Sequence, residues 1–341
     1  PPPPRHAQPP RRRGAAPAPP SAGRGSMLKR PQFVLFCVIA LLLLTSSNAL
    51  VEAKVLDSSE TLLEPIATES NGRSLLIEEV TTTWCPTCAE IDPYLMGVAD
   101  SHGSRIAMVA YHPTDGIDGF QPPAAQHRID RLGIIHGNSI PSPTFFVEGK
   151  NPRSGTEAWV DVQRDILDLE LTRQVTSSLQ FEVSQVGEET TARMLSFEPS
   201  SGDMNSTQIT FMIIEHQKVV PEGITNPGEL HRDRVLVATA ECQFNTSTIE
   251  VSIGLLRAES SQGCNDFEIS FQSKTEFSIL LVHESTEDAI LNHNATLGTY
   301  GAVEFAYRSR DIPESWSFAP FLLLLAAGAG IIAIMPRKDK D

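Results

Sequence analysis

"TTTWCPTCAEIDP", Thr81–Pro93, places two of the chain's five cysteines two residues apart, directly behind a tryptophan. The stretch before it, "RSLLIEEVT" (73–81), is a short apolar run with β-branched residues, so strand, loop and helix is the natural parse. A cysteine at the first turn of such a helix faces unpaired backbone N–H groups and the positive end of the helix dipole, which favours its thiolate. Cys85 is then the attacking sulfur. Cys88, one turn further on, is placed to displace a mixed disulfide. Zinc is a competing use, but it needs four ligands, and His112, His127 and His136 make no usual ligand spacing with the pair. A structural disulfide is the third reading.

Working outward, Ile91, Leu95 and Val98 recur at helical spacing over 88–102, and Gly103 supplies the stop. "RIAMVAY" (105–111) reads as a second buried strand. A Gly/Pro/Asp-rich loop, "HPTDGIDGFQPP", follows, with His112 and Asp115 shaping its turn. A short helix is expected over 124–132 and a strand over Thr144–Val147. A further helix, with Trp159, Val162, Ile166 and Leu169 on one face, runs to about Arg173. Alternating strands and helices over 73–174 imply an α/β layer structure.

From about Val175 the period changes to two. "LQFEV", "TIEVSI" and "DFEISF" alternate, while "QITFMIIE", "RVLVATA" and "FSILLVH" are more continuous, and the expectation for 175–310 is an all-β sandwich. N-glycosylation sequons stand at Asn205, Asn245 and Asn294. Cys242 and Cys264 lie near strand ends, where an exported chain would pair them in a structural disulfide worth about 3 kcal/mol in the chain-entropy model.

Two apolar runs bracket all of this. Phe33–Leu44, after Lys29 and Arg30, reads as a signal peptide over 27–49, which also carries off Cys37; residues 1–26 are expected to be a disordered basic arm or an upstream extension of the reading frame. An acidic linker covers 50–72. Residues 318–335 form an uncharged run of 18 ahead of "PRKDKD", so a transmembrane helix with a cytoplasmic tail (336–341) is expected, and the ectodomain faces outward. A lipid-anchor signal would instead end apolar. The net charge is −15, and residues 54–335 carry 17 basic against 39 acidic side chains, which argues against nucleic acid as a partner and for solubility.

The segment from about 74 to 174 resembles the thioredoxin-like proteins. Trp84 stands immediately before Cys85, and Pro93 falls five residues after Cys88, where that family kinks its active-site helix. Glu79, six residues before Cys85, matches the buried acid that takes the second thiol's proton. Pro143, in "SPTFFVEG", matches the proline that is cis in the family and sets the backbone of Ser142 beside the sulfurs. The resemblance implies a central mixed sheet flanked by helices, catalytic roles for Cys85, Cys88 and Glu79, and substrate contacts from Trp84, Ser142 and Pro143. The long loop from His112 to Pro123 and the Pro86-Thr87 dipeptide depart from the family's compact pattern, and the dipeptide leaves the direction of electron flow open. The domain order is also similar to that of bacterial outer-surface proteins with a thioredoxin-like domain before a β-sandwich.

The fold expectation is therefore a thioredoxin-like α/β domain, then an all-β sandwich, then a C-terminal transmembrane helix. The functional expectation is a membrane-anchored extracytoplasmic thiol–disulfide oxidoreductase, without a cofactor or metal. It would act on cysteine-containing exported proteins, with a separate membrane partner supplying or accepting electrons. The alternative is a non-enzymatic surface protein whose sandwich binds a ligand and whose cysteine pair is static. His231-Arg232-Asp233 matches the opening of the kinase catalytic loop, but the Asn expected five residues after Asp233 is Ala238, so the match is set aside as coincidence.

Overall fold

Beyond Thr81 the backbone enters a helix because Cys85 caps it. The Cys85 sulfur accepts the Cys88 N–H at 3.1 Å, and Pro86 occupies the first turn, where its missing N–H costs nothing. Gly103, at φ 58°, ends that helix in a conformation that disfavours other residues.

The computed structural model describes residues 53–173, 175–200, 204–292 and 295–309. β1 (Ala53–Leu56) and β2 (Ile66–Ala67) precede β3 (Leu75–Val80), which feeds helix α1 (Pro86–His102). β4 (Ile106–Tyr111), α2 (Pro123–His136), β5 (Thr144–Val147), β6 (Lys150–Ser154) and α3 (Trp159–Thr172) follow. Strands then dominate: β7 (Ser178–Val186), β8 (Glu189–Glu198), β9 (Thr207–Glu215), β10 (Lys218–Val219), β11 (His231–Arg232), β12 (Val235–Gln243), β13 (Thr248–Ile253), β14 (Arg257–Glu259), β15 (Glu268–Gln272) and β16 (Phe277–Ser285). The short helix α4 (Glu287–Leu291) and β17 (Thr299–Tyr307) close the described chain.

The expected arrangement of a thioredoxin-like α/β domain followed by a separate sandwich is corrected by the sheet. One ten-stranded mixed sheet runs in the order β1-β17-β16-β9-β12-β4-β3-β5-β6, with β13 added beside β12. The strands of 73–174 are thus one end of a sheet that the later strands continue, and the fold is mostly β. The join is a parallel bridge at Val235 and Ala110, with the Ala110 N–H donating to the Arg234 carbonyl at 2.8 Å.

The physical reason lies in the continuous strands. β9 turns Ile209, Phe211 and Ile213 to one apolar cluster and Met212 and Ile214 to another. β16 does the same with Phe277, Ile279 and Leu281 against Leu280 and Val282. A strand apolar on both faces is covered on both faces. A five-stranded sheet, β14-β15-β8-β7-β2, covers one face of this half through Phe181, Val183 and Met194. Helix α2 covers the other face and extends over β3 and β4 as well, so Leu76, Val109, Met212 and Leu236 share one cluster. Beneath β3 and β5, helices α1 and α3 pack Ile91, Val162 and Ile166 on Leu75, Ile77 and Phe145.

Under α2 lies a buried ionic network. Arg128 Nη1 donates to Glu284 Oε1 at 2.7 Å, and its Nη2 reaches Glu284 Oε2 at 3.1 Å and Glu78 Oε1 at 3.2 Å. Tyr111 donates its hydroxyl to Glu78 at 2.9 Å, and Arg131 Nη2 donates to the Ser285 carbonyl at 2.6 Å. Burial raises Glu78 above its ordinary value even with Arg128 beside it. Burial works the same way on Glu284, but Arg128 and Arg131 overcome it and hold that carboxyl at about 2. The two acids therefore act in opposite senses. On acidification Glu78 takes its proton above the ordinary glutamate range, which relieves a cost to the folded state. The stabilisation carried by Glu284 is complete above about 4.5 and is lost as pH falls through about 2. Carboxyl-resolved NMR titration should show Glu78 titrating above 4.5 and Glu284 below it, and a reversed order would refute the assignment.

Cys242 and Cys264 form the expected disulfide, buried within the sheet-on-sheet core. Asn205 and Asn245 are exposed, and Asn294 lies outside the described residues. The expected single-pass membrane location is also corrected: among the described residues no helix is long and apolar enough to cross a membrane. The segments 1–26, 27–49, 318–335 and 336–341, on which the arm, signal, span and tail were placed, lie outside the described residues.

Candidate functional site

Cys85 and Cys88 are joined in a disulfide at the N-terminus of α1. Both sulfur-bearing residues are buried, Cys85 at 5% exposure and Cys88 at 0%, while Pro86 and Thr87 between them are exposed. The Ser142 carbonyl oxygen lies 3.6 Å from the Cys85 sulfur, and the Ser142–Pro143 peptide is cis. The resemblance placed the backbone of Ser142 beside the sulfurs, and the Ser142 carbonyl is there. Trp84, partly exposed, donates its indole N–H to Asp115 Oδ2 at 2.9 Å.

The loop after β4 is fastened to the stretch before the cysteines. Asp118 Oδ2 accepts the Thr83 N–H at 2.7 Å and meets His112 Nδ1 at 2.9 Å, while Asp118 Oδ1 accepts the Phe120 N–H at 2.8 Å. Burial alone would raise Asp118, yet the His112 hydrogen bond and these amides hold it below the ordinary aspartate value. The Gly119 N–H returns to Thr83 Oγ1 at 2.9 Å. His112 and Asp115 thus do shape the loop, and in doing so fix Thr83 and Trp84 ahead of Cys85.

Glu79 is buried. It is 1% exposed, on the α1 side of β3, and its carboxyl adjoins that of Asp92. Asp92 stands four residues after Cys88, hence one turn along the same face of α1. A cavity of about 70 Å³ opens beside the two acids, lined also by Ala89, His112, Glu229 and Arg232. Burial, and next the adjoining Asp92 carboxyl, raise Glu79 well above its ordinary value. Burial raises Asp92 to about 6 against the opposing charge of Arg232. Two adjoining buried carboxyls disfavour each other's ionisation, so they titrate as a pair.

Arg232 comes from the hairpin of β10 and β11, some 140 residues away in sequence from Asp92. Its Nε lies 3.4 Å from Asp92 Oδ2, an ion-pair distance without hydrogen-bond alignment. Its other nitrogens are held by the Glu229 carbonyl at 2.5 Å and Asn226 Oδ1 at 2.6 Å. Gly228 permits this approach, since a Cβ there would fall 2.6 Å from the guanidinium and 2.8 Å from the Ala89 Cβ. The His231-Arg232-Asp233 run has no kinase context, but it is a wall of this site. Asp92 was detectable in the sequence from its four-residue spacing to Cys88; Arg232 carried no local signal.

Asp233 also closes a second constellation, Asp233 to His216 Nδ1 at 2.6 Å and His216 Nε2 to Ser278 at 2.9 Å. The connectivity is that of a nucleophilic triad, but Ser278 is fully buried on central strand β16, so the three groups tie strands together. His127 and His136 are occupied elsewhere, with Glu241 and the Gly149 carbonyl. Among the described residues no three of His, Cys, Asp or Glu gather into a metal-binding cluster.

No protein-family profile matches the sequence, and no curated protein matches it. Among solved structures, HBP35 of Porphyromonas gingivalis is similar at 14% identity and a TM-score of 0.48, over 72% of this chain and 79% of its own. Protein AGR_C_4864 from Agrobacterium tumefaciens is similar at 10% identity and a TM-score of 0.44, over 70% of this chain and 95% of its own. Likenesses this distant assign neither a family nor a function.

Proposed function

We propose that the chain is a thiol–disulfide oxidoreductase acting on cysteine-bearing proteins, with Cys85 as nucleophile and Cys88 as resolving thiol. The observation that carries this reading is the placement of the Cys85 sulfur as the cap of α1, accepting the Cys88 N–H, with the exposed Pro86-Thr87 edge beside it. Helix N-termini stabilise thiolates, so reduced Cys85 is the sulfur that attacks. Trp84 and the Ser142 backbone flank the approach and would contact a client. The motif's resemblance to the thioredoxin-like proteins supports the same roles.

A Cys88→Ser variant should accumulate mixed disulfides between Cys85 and client proteins, resolved on non-reducing gels. Cys85→Ser should accumulate none. Absence of adducts in Cys88→Ser would sink the proposal. The burial of both sulfurs favours one other reading, a static pair in a binding protein. That reading requires a reduction potential below about −300 mV, in the range of structural disulfides, whereas an exchanging pair lies above it.

A further inference from the structure

We propose that the exchange site selects cationic clients, cysteines flanked by lysine or arginine, through a rim of exposed acids that four separate parts of the chain place around Cys85. The inference rests on the exchange chemistry proposed above and names the class of client that reaches it.

The rim is built as follows from the fold. Glu90 stands one helical turn after Pro86 and Thr87, so on α1 it shares the side of that exposed edge. Asp115, on the loop after β4, accepts the indole N–H of Trp84, the residue before Cys85. Glu157 lies in the turn Thr156–Ala158, which packs on α1 and follows Gly155, whose N–H donates to the Pro143 carbonyl at 3.0 Å. Glu229 comes from the loop between β10 and β11, where Gly228 lies against Ala89, one turn beyond Cys85. All four acids are exposed.

The cations on the neighbouring elements are engaged. Arg232 is buried against Asp92, Lys218 Nζ meets Glu215 at 2.6 Å, and Arg153 Nε meets Asp165 at 2.9 Å. His112 is buried on Asp118, and His231 is exposed. The cavity that Glu229 lines carries the polar character inward, since Glu79 Oε1 and His112 Nε2, on side chains 1% exposed, find no hydrogen-bond partner among the described residues. A client's ammonium or guanidinium meets opposite charge at this opening, while a client carboxylate meets like charge. Such a field acts over a Debye length of about 8 Å at physiological salt and raises association rates by roughly ten- to a thousandfold.

The selected reaction balances. The Cys85 thiolate attacks one sulfur of the client disulfide, a mixed disulfide forms, and one client thiolate leaves. The Cys88 sulfur then attacks the Cys85 sulfur, the Cys85–Cys88 disulfide forms, and the second client thiolate leaves. Two electrons pass to the client, and the dithiol's two protons end on the two released thiols.

The test uses the whole protein, reduced and freed of reductant, with three small disulfides as probes: dicationic cystamine, neutral hydroxyethyl disulfide and dianionic dithiodipropionate. Oxidation of the dithiol is followed by quenched alkylation, and each rate is divided by that of mercaptoethanol with the same probe, which removes the probes' own reactivity. Cystamine should exceed dithiodipropionate by about tenfold in low salt, with hydroxyethyl disulfide between them, and the spread should close in high salt. Glu90→Gln, Glu157→Gln and Glu229→Gln combined should close it too, while the same change at Glu189, Glu198 and Glu259, exposed on the five-stranded sheet, should leave it in place. Equal normalised rates for the three probes, or an equal loss of spread in both triple variants, overturns the proposal. Protein that fails to reduce even hydroxyethyl disulfide overturns the redox reading, and this inference with it, so the neutral probe tells the two failures apart.

Discussion

Arg128→Ala should lower the unfolding free energy by about 3–5 kcal/mol, the cost of stripping the partner from buried charge. The change removes the guanidinium that bridges Glu78 and Glu284, and both carboxyls stay buried, at 2% and 0% exposure. Tyr111 still reaches Glu78, and Arg131 still lies 3.3 Å from Glu284, so the carboxyls keep part of their neutralisation. Chemical denaturation followed by far-ultraviolet dichroism measures the loss. A change below about 1 kcal/mol, the size expected of an exposed ion pair, would show that the network contributes only as a surface bridge does. The effect should also depend on pH, shrinking in acid as the carboxyls are protonated and no longer need the cation.

Removing the second disulfide should be nearly as costly. The double variant Cys242→Ala, Cys264→Ala opens a closed loop with a sequence separation of 22, for which the chain-entropy model gives about 3 kcal/mol, and it leaves the space of two buried sulfurs in the core. Opening Cys85–Cys88, whose separation is 3, frees almost no loop entropy. Denaturation midpoints of the two double variants, compared under one oxidising condition, should therefore differ widely. Equal losses would contradict the proposed division into one structural and one exchangeable pair.

Much of the local structure was legible. The helix read over 88–102 and stopped by Gly103 is α1, which begins two residues earlier at Pro86, Thr144–Val147 is the expected strand, and Trp159, Val162 and Ile166 mark the packed side of α3. The cysteine site was legible too, because a capping sulfur and its partner a turn later are local features. The wider arrangement was not. The apolar runs in β9, β12 and β16, more continuous than their neighbours, were placed in a separate sandwich, whereas their lack of alternation goes with cover on both faces. The second cover, α2, hid behind Arg128 and Arg131, residues that look solvated until Glu78 and Glu284 are found opposite them. Glu78 and Glu79 point to opposite faces of β3, and each found its partner on a different helix: Arg128 on α2 for one, Asp92 on α1 for the other. Arg232 reaches Asp92 only through tertiary folding, and no window of sequence contains both.

The shared sheet bears on how such a chain can be cut. A piece ending near residue 174 keeps Cys85 and Cys88, yet it loses β12 from the edge of β4 and half of the surface beneath α2. Such a fragment presents an unpaired strand edge beside an uncovered apolar helix, the combination that invites pairing with other chains. It also lacks Arg232. The unit of dissection, whether for crystallisation, shuffling or expression, is therefore the sheet in full.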